Sequence, residues 1–162
     1  MLRSIGDGNP PDFTGKRVVV VGGGNVAMDC TRSALRLGAS KVGIAYRRRQ
    51  NDMTALPEEV EGAIAEGAEL YSLKAPVRVE ADEKGNVAAL WVEPQIIGPI
   101  DAWGRARPVK ANVEPKRIPC DIVIVAVGQG IESRHFEDSG VPVKRGTIEA
   151  LEESTVKAVS YT

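Results

Sequence analysis

Uninterrupted runs of apolar residues mark the strands that this chain is expected to bury. Residues 18–21 are four consecutive valines, residues 42–46 form a second apolar run, and residues 122–127 read Ile-Val-Ile-Val-Ala-Val. A continuous β-branched run without alternation is typical of a strand covered on both faces of a parallel sheet. Residues 68–73 are short and apolar enough for a further strand. The pattern predicts a parallel sheet in which residues 122–127 return beside the first strand.

Helical periodicity separates these strands. Four small or apolar residues recur at helical spacing after the first strand: Ala27, Cys30, Ala34 and Leu37. This helix is expected to begin at Asn25 and to end at Gly38, which tolerates the left-handed conformation. A second helix is predicted from Pro57, a favoured first helical residue, through residues 58–66 to Gly67. Strands that alternate with helices are typical of an α/β fold with helices on both faces of the sheet.

The period changes to alternation between residues 77 and 114. Strands are predicted over residues 77–80 and 87–92, with a turn between them, and alternation returns around Val109 and Val113. This pattern predicts a three-stranded antiparallel meander that acts as a crossover. Trp91 and Trp103 are expected to pack in that ribbon. The predicted fold class is therefore α/β, a Rossmann-like parallel sheet with helices on both faces and a crossover meander.

Composition divides the chain further and excludes several functions. Residues 1–15 are rich in glycine and proline and predict a linker, residues 16–130 form the predicted domain, and residues 131–162 are polar and poorly periodic. The formal net charge is −1 and no apolar run approaches the roughly eighteen residues that span a bilayer. We therefore expect no nucleic-acid or membrane partner. Cys30 and Cys120 form neither a redox pair nor a metal cluster, which favours a cytoplasmic setting and no metal site.

A glycine turn follows the four valines and precedes the first helix. In the spacing Gly22-x-Gly24-x-x-Ala27, Gly22 makes the tight turn, Gly24 admits a pyrophosphate close to the backbone, and Ala27 lets the helix pack on its strand. Backbone N–H groups at the start of a helix favour a bound anion. The alternative is a structural turn in another kind of α/β domain. The residues predicted to bind a dinucleotide here are Gly22, Gly23, Gly24, Asn25, Val26 and Ala27.

Arginines follow the second strand, where an NAD site usually has a carboxylate. Arg47, Arg48 and Arg49 come directly after Tyr46, and no acid lies near that position. A carboxylate would bind the ribose 2′-hydroxyl of NAD, whereas guanidinium groups suit the 2′-phosphate of NADP. The alternative is a solvated basic loop. The sequence predicts NADP(H) in preference to NAD.

Three more residues are predicted to lie near the nucleotide. Val127, Gly128 and Gln129 follow the last apolar strand. Ligands of open α/β sheets bind outside the carboxyl ends of the strands. The alternative is a plain turn at the exit of that strand.

Several segments in register resemble a known family. They are GKRVVVVGGGNVAMD, AYRRR, MTALPEEVEGAIAEGAEL, DAWGRARPV and DIVIVAVGQ. Together they resemble the NADPH-binding domain of the glutamate synthase small (beta) subunit and its flavoprotein relatives. That group includes the small subunit of NADH-dependent ferredoxin:NADP oxidoreductase and the amino-terminal part of dihydropyrimidine dehydrogenase. It is similar in turn to adrenodoxin and thioredoxin reductases, in which an NADP domain is inserted into an FAD domain.

The resemblance implies roles for particular residues. Arg47 and Arg48 match the pair that holds the 2′-phosphate, and Glu59 matches an acid that approaches the nicotinamide carboxamide. Gly128 and Gln129 match the segment where the two domains meet near the flavin. The implied reaction is hydride transfer between NADPH and FAD, with iron–sulfur clusters in the parent protein or its partner. No catalytic residue is implied in this chain, because the cofactors carry the chemistry.

The chain also departs from that family. It has no second glycine fingerprint for FAD, no Gly-Asp flavin motif and no iron–sulfur cysteines. We therefore expect a fragment of a longer flavoprotein, which binds nucleotide without turnover and in which residues 131–162 lead toward a missing FAD domain. The implied partners are that FAD domain and a large glutamate synthase subunit or a ferredoxin-linked protein. The alternative is a stand-alone nucleotide-sensing or protein-interaction module with no redox role.

Overall fold

The computed structural model describes residues 1–100, 104, 106–128, 133–144 and 147–148. The chain divides into two compact units, Met1–Val127 and Gly128–Thr162. In the second unit the described elements are a short helix and an antiparallel pair of two-residue strands. Their bounds are Arg134–Asp138, Val143–Lys144 and Thr147–Ile148.

The described elements of the first unit are three α-helices, one 3-10 turn (Gln50–Asp52) and eight strands. The helices are α1 (Leu2–Gly6), α2 (Asn25–Arg36) and α3 (Pro57–Ala65). The strands are β1 (Arg17–Val21), β2 (Lys41–Ala45), β3 (Glu69–Tyr71), β4 (Lys74–Ala81), β5 (Val87–Ile100), β6 (Ala106–Lys110), β7 (Lys116–Pro119) and β8 (Ile122–Val125). Within the described residues, no helix has the length and apolar character needed to cross a membrane.

Four strands form the predicted parallel sheet, in the order β3-β2-β1-β8. The central strand β1 pairs on one side with β2 and on the other with β8, so that Val21 lies opposite both Ala45 and Val125. The valines of β1 are almost fully buried, as expected of a central strand. The carboxyl ends of these strands therefore lie at one edge of the sheet.

Helices α2 and α3 cover one face of this sheet. The buried residues of that layer come from β1, β2, α2 and α3: Val18, Val20, Val42, Ile44, Ala27, Met28, Ala34, Val60 and Ala63. Helix α2 ends before Gly38, which has a φ of +85°, and α3 ends before Gly67, which has a φ of +108°. Both helices therefore begin and end as the sequence predicts.

The other face is covered by strands, which differs from the expected helices on both faces. Leu90 and Val92 of β5 pack against Val19 and Val21 of β1 and Ala45 of β2. The crossover between β3 and β8 is antiparallel sheet throughout its described length, so the chain has no described helix to place there. Alternation along β5 gives it one apolar face, and that face takes the place of a helix.

The crossover is larger than the predicted three-stranded meander. Strand β5 has 14 residues and pairs with β4, β6 and β7. No strand is predicted at the position of β7, and β5 continues to Ile100, beyond the predicted end at residue 92. Trp91 packs in this sheet, where its Nε1–H donates to Glu80 and the Arg78 guanidinium lies 4.6 Å from its ring centroid. Trp103 lies outside the described residues.

Residues 1–15, predicted to be a linker, also differ from the expectation. They contain α1, and Phe13 is 4% exposed within the layer that lies under α2. A single aromatic residue among glycines and prolines shows no periodicity, so its burial could not be seen from the pattern. Cys30 and Cys120 are free and buried, and burial raises the pKa of both thiols.

Candidate nucleotide-binding site

Gly22 makes the turn out of β1 in a space that only glycine fits. Its φ is +147°, and a Cβ on Gly22 would collide with the Ala126 carbonyl oxygen and lie 3.2 Å from the Ala27 Cβ. Its N–H donates to the Ala45 carbonyl at 3.1 Å, and the Ala126 N–H donates to the Val21 carbonyl at 2.8 Å. The turn therefore lies between the carboxyl ends of β2 and β8 and is hydrogen-bonded at both.

Helix α2 begins immediately after the turn and leaves backbone donors open. Gly24 is its N-cap, and the Gly24 carbonyl accepts the N–H groups of Ala27 at 2.9 Å and Met28 at 3.3 Å. In the described part of the chain, no acceptor takes up the N–H groups of Gly24, Asn25 and Val26. Asn25 and Val26 are exposed. Donors at the start of a helix of this length suit an anion.

The ring of Tyr46 lies against the middle glycine of the turn. A Cβ on Gly23 would lie 2.5 Å from Cε2 and 2.6 Å from Cδ2 of that ring. The Tyr46 hydroxyl donates to the Asp52 carbonyl at 2.8 Å. The end of β2 and the loop beyond the arginines are therefore both held at the turn.

Residues 54–56 fold back onto the same turn. The Gly23 carbonyl accepts the N–H groups of Thr54 at 2.9 Å and Ala55 at 3.0 Å. The Asn25 side-chain oxygen accepts the Leu56 N–H at 2.9 Å. The segment that precedes α3 therefore lies beside the start of α2, next to the glycine turn.

The three predicted arginines lie in three different environments. Arg47 is exposed and makes no ion pair within the described residues. Arg48 is half-buried and lines a surface depression together with Ile97 and Arg107 of the crossover sheet. Arg49 is paired with Asp52, with Nε to Oδ2 at 2.8 Å and Nη2 to Oδ1 at 2.9 Å. These bonds with Arg49 lower the pKa of Asp52.

Glu59 has its carboxylate on the flank between the two helices. Its Oε2 accepts Nη1 of Arg32 at 2.7 Å, and Nε of Arg32 donates to Glu66 at 2.7 Å. Arg36 also donates to Glu66, and the hydrogen bonds from Arg36 and then Arg32 lower the pKa of that carboxyl. Glu59 thus stabilises the packing of α3 on α2, and its role near a nicotinamide stays a prediction.

The residues predicted after the last parallel strand lie in two units. Val127 ends the first unit and is 70% exposed. Gly128 begins the second unit and has a φ of +106°. Gln129 lies outside the described residues. The proximity of these three residues to a nucleotide stays a prediction.

The structure adds Tyr46, Thr54 and the Asn25 side chain to the residues that shape the turn. The sequence pattern predicts no role for residues 50–56. One signal was present, because a chain that returns from β2 to a helix on the same face must pass the carboxyl edge of the sheet.

Comparisons with known proteins agree with this fold. A family model described as pyridine nucleotide-disulphide oxidoreductase matches residues 3–159. The thioredoxin reductase of T. acidophilum has a TM-score of 0.70 at 21% identity, and the match covers 90% of this chain and 42% of that chain. At that identity the likeness shows the fold alone. The Rossmann-like fold of that protein is the fold that the sequence predicts.

Curated relatives are more similar in sequence. The NADP(+)-dependent formate dehydrogenase subunit beta of Moorella thermoacetica is 45% identical over 148 residues, which cover 91% of this chain and 21% of that protein. The NADPH-Fe(3+) oxidoreductase subunit beta of Geobacter sulfurreducens is 43% identical, with 80% and 19% covered. The glutamate synthase [NADPH] small chain of Halomonas elongata is 36% identical, with 90% and 31% covered. The chain therefore spans between 19% and 31% of the length of these relatives.

The family model extends over nearly the whole chain, from the first helix past the described strands of the second unit. The resemblance to the glutamate synthase small subunit and related NADPH oxidoreductase beta subunits is confirmed by relatives at 36% to 45% identity. This chain belongs to the pyridine nucleotide-disulphide oxidoreductase family.

Proposed function

We propose that this chain binds NADP(H) at the carboxyl edge of its parallel sheet. The observation that carries the proposal is the glycine turn, where three N–H groups at the start of α2 have no acceptor within the described residues. A Cβ on Gly22 or Gly23 would collide with other protein atoms, so packing requires both glycines. A Cβ on Gly24 would meet only the Thr54 hydroxyl oxygen, at 3.4 Å, so packing does not require this glycine, which supports its role in admitting a pyrophosphate close to the backbone. The turn fits the cofactor that the relatives' names imply.

We propose that the 2′-phosphate is bound by Arg47 and Arg48. The Tyr46 ring contacts Gly23 of the glycine turn. Arg47 is the next residue along the chain and is exposed, so its backbone lies close to the turn. Arg48 is the next residue and is half-buried. Charge-assisted bonds from guanidinium to phosphate contribute about 1.5–3 kcal/mol each.

We further propose that the chain is the NADPH-binding part of a longer flavoprotein that resembles glutamate synthase small subunits. The chain spans about a fifth to a third of relatives whose names record NADPH-dependent oxidoreductases. When bound, NADPH would supply a hydride to a flavin, or NADP would accept one. The residues of this chain bind and orient the nucleotide. Iron–sulfur clusters and a partner subunit belong to the same proposal.

Titration calorimetry of the 162-residue chain with NADPH and NADH tests the nucleotide assignment. We expect the double variant Arg47→Ala, Arg48→Ala to weaken NADPH by about ten-fold or more, because at least one charge-assisted bond is lost. NADH, which has no 2′-phosphate, is expected to change by less than about two-fold.

The matched control is Arg49→Ala, which removes one guanidinium from the same loop. Its charge is already paired with Asp52, so NADPH affinity is expected to fall by about three-fold at most. Equal losses for NADPH and NADH in the double variant would contradict the assignment of the 2′-phosphate.

A further inference from the structure

Tyr46 connects the two halves of the proposed nucleotide site. Its ring occupies the space that a side chain at Gly23 would need, because a Cβ there would lie 2.5 Å from the ring. Its backbone directly precedes the arginine loop, defined here as residues 47–56. Tyr46 therefore contacts the glycine turn with its side chain and is joined to the arginine loop through its backbone.

The hydroxyl of Tyr46 reaches the middle of that loop. It donates to the Asp52 carbonyl at 2.8 Å, across the short 3-10 turn Gln50–Asp52. The Asp52 carboxylate in turn accepts the N–H of Arg49 at 3.2 Å and its guanidinium at 2.8 Å. The loop is thus folded on itself, with Tyr46 as the side chain that ties this fold to the turn.

The far end of the loop is held by backbone bonds instead. Thr54 and Ala55 donate to the Gly23 carbonyl, and Leu56 donates to the Asn25 side chain. Near its start the loop is also held by the Arg48 carbonyl, which accepts the Leu73 N–H at 3.0 Å. The Tyr46 hydroxyl bonds to the middle of the loop, at the 3-10 turn Gln50–Asp52, and links it to the residue that contacts Gly23. A loop that must become ordered on binding loses affinity for the group it binds.

We propose that the Tyr46 hydroxyl is a positioning group that sets the selectivity for a 2′-phosphorylated nucleotide. It holds the arginine loop at a fixed separation from the glycine turn, so that both phosphate sites are formed before the nucleotide arrives. This inference rests on the proposed function. The pyrophosphate half of the site lies on α2 and does not depend on the hydroxyl, so the effect falls on the 2′-phosphate.

The chain offers a matched control in Tyr71. Its ring also fills the space beside a glycine, Gly43, and its hydroxyl donates to the Glu69 carboxylate at 2.6 Å. That hydroxyl bonds to β3 and not to the arginine loop. Tyr71→Phe therefore removes a comparable bond without touching the loop.

The experiment compares the unchanged 162-residue chain with Tyr46→Phe and Tyr71→Phe. Affinities for NADPH, NADH and adenosine 2′,5′-bisphosphate are measured by calorimetry, and amide hydrogen exchange is followed without nucleotide. We expect Tyr46→Phe to weaken NADPH and the bisphosphate by about five-fold, the effect of one hydrogen bond, with NADH unchanged. Exchange in residues 50–53 is expected to be faster in this variant alone.

The outcomes separate the inference from the proposed function. An unchanged ratio of NADPH to NADH affinity in Tyr46→Phe overturns the inference, and so does faster exchange without a change in that ratio. Equal weakening of both nucleotides overturns it as well. An unchanged chain that binds NADPH no better than NADH overturns the proposed function, and the inference with it.

Discussion

At Gly22 two constraints meet, one of backbone conformation and one of space. Its φ of +147° disfavours any residue with a side chain, and the Ala126 carbonyl occupies the position of a Cβ. We expect Gly22→Ala to lower the free energy of unfolding by about 2–4 kcal/mol, because the strain and the displacement of a neighbouring strand add. Urea unfolding followed by circular dichroism measures the change.

Gly85 provides the control for the conformational part alone. Its φ is +82°, but a Cβ there would meet nothing within 4 Å. Gly85→Ala is expected to cost about 1 kcal/mol, the strain of a left-handed residue. Equal losses in the two variants would mean that the contact with Ala126 contributes nothing.

The spacing of the glycine turn could be read from sequence because each of its requirements is local. Gly22, Gly24 and Ala27 lie within one turn and the start of one helix, where spacing fixes position. The contact of Tyr46 with Gly23 could not be predicted from the sequence, because the two residues are 23 positions apart and meet only through packing. The Glu59 carboxylate also has a partner, Arg32, that no local pattern reveals.

Among the elements, β5 shows how far a strand can exceed its sequence signal. The sequence predicts a strand over residues 87–92, yet the strand runs from Val87 to Ile100 through Pro94, Gly98 and Pro99. Its second half is held by pairing with β6, for example Gln95 with Lys110 and Ile97 with Pro108. Prolines are tolerated in a ribbon with open edges, so tertiary pairing overrides the local signal here.

The first half of β5 covers the second face of the parallel sheet. Its buried side chains are therefore expected to contribute to the stability of the fold. Leu90 is 2% exposed, whereas Ile97 on the same strand is 51% exposed. We expect Leu90→Ala to lower the free energy of unfolding by about 2–5 kcal/mol, because a buried cavity forms. Ile97→Ala is the control and is expected to cost less than about 1 kcal/mol in the same urea titration.

Strands β1 and β8 are also joined by an ion pair at their amino ends. Asp121 accepts the backbone N–H of Arg17 at 2.8 Å and Nη2 of its guanidinium at 2.6 Å. The Arg17 side chain is the main cause that lowers the pKa of Asp121 from 3.8 to about 2. A lowered carboxyl pKa contributes stability that is complete above the ordinary value and is lost as the pH falls toward the lowered one.

Asp121→Asn should therefore reveal a pH-dependent contribution. At neutral pH we expect the variant to lose about 1 kcal/mol, since the pair is partly exposed. The difference from the unchanged chain should narrow as the pH falls below about 4, in urea titrations at stepwise lower pH. Asp7→Asn, at a carboxylate that is largely exposed beside Arg3, is the control and should change little. A difference that is constant over this range would contradict the assignment.

For the whole molecule, nucleotide binding and turnover are expected to separate. The chain spans about a fifth to a third of its NADPH-dependent relatives and carries one glycine fingerprint. We expect the 162-residue chain to bind NADPH without oxidising it, even with a dye acceptor, as followed by nicotinamide absorbance. Steady NADPH consumption by this chain alone would contradict the proposal that a flavin in a longer protein accepts the hydride.

At the scale of the whole molecule, the sequence predicts the parallel sheet and the helical layer on one of its faces. It does not predict that antiparallel strands cover the other face. Apolar runs and helical periods report on burial within one element, which is why β1, β2, β8, α2 and α3 were found. Which element covers the free face depends on how a crossover folds back over the sheet. Phe13 was missed for the same reason, because its burial depends on residues far along the chain.

The pairing of β1 with β8 also has a kinetic consequence. Arg17 and Asp121 are 104 positions apart, and the first turn of the site is closed by the Ala126 carbonyl. Contacts of such long sequence separation slow folding, because a large loop must close before they form. During synthesis, then, the glycine turn after β1 is expected to lack its contact with Ala126 until residue 126 has emerged from the ribosome.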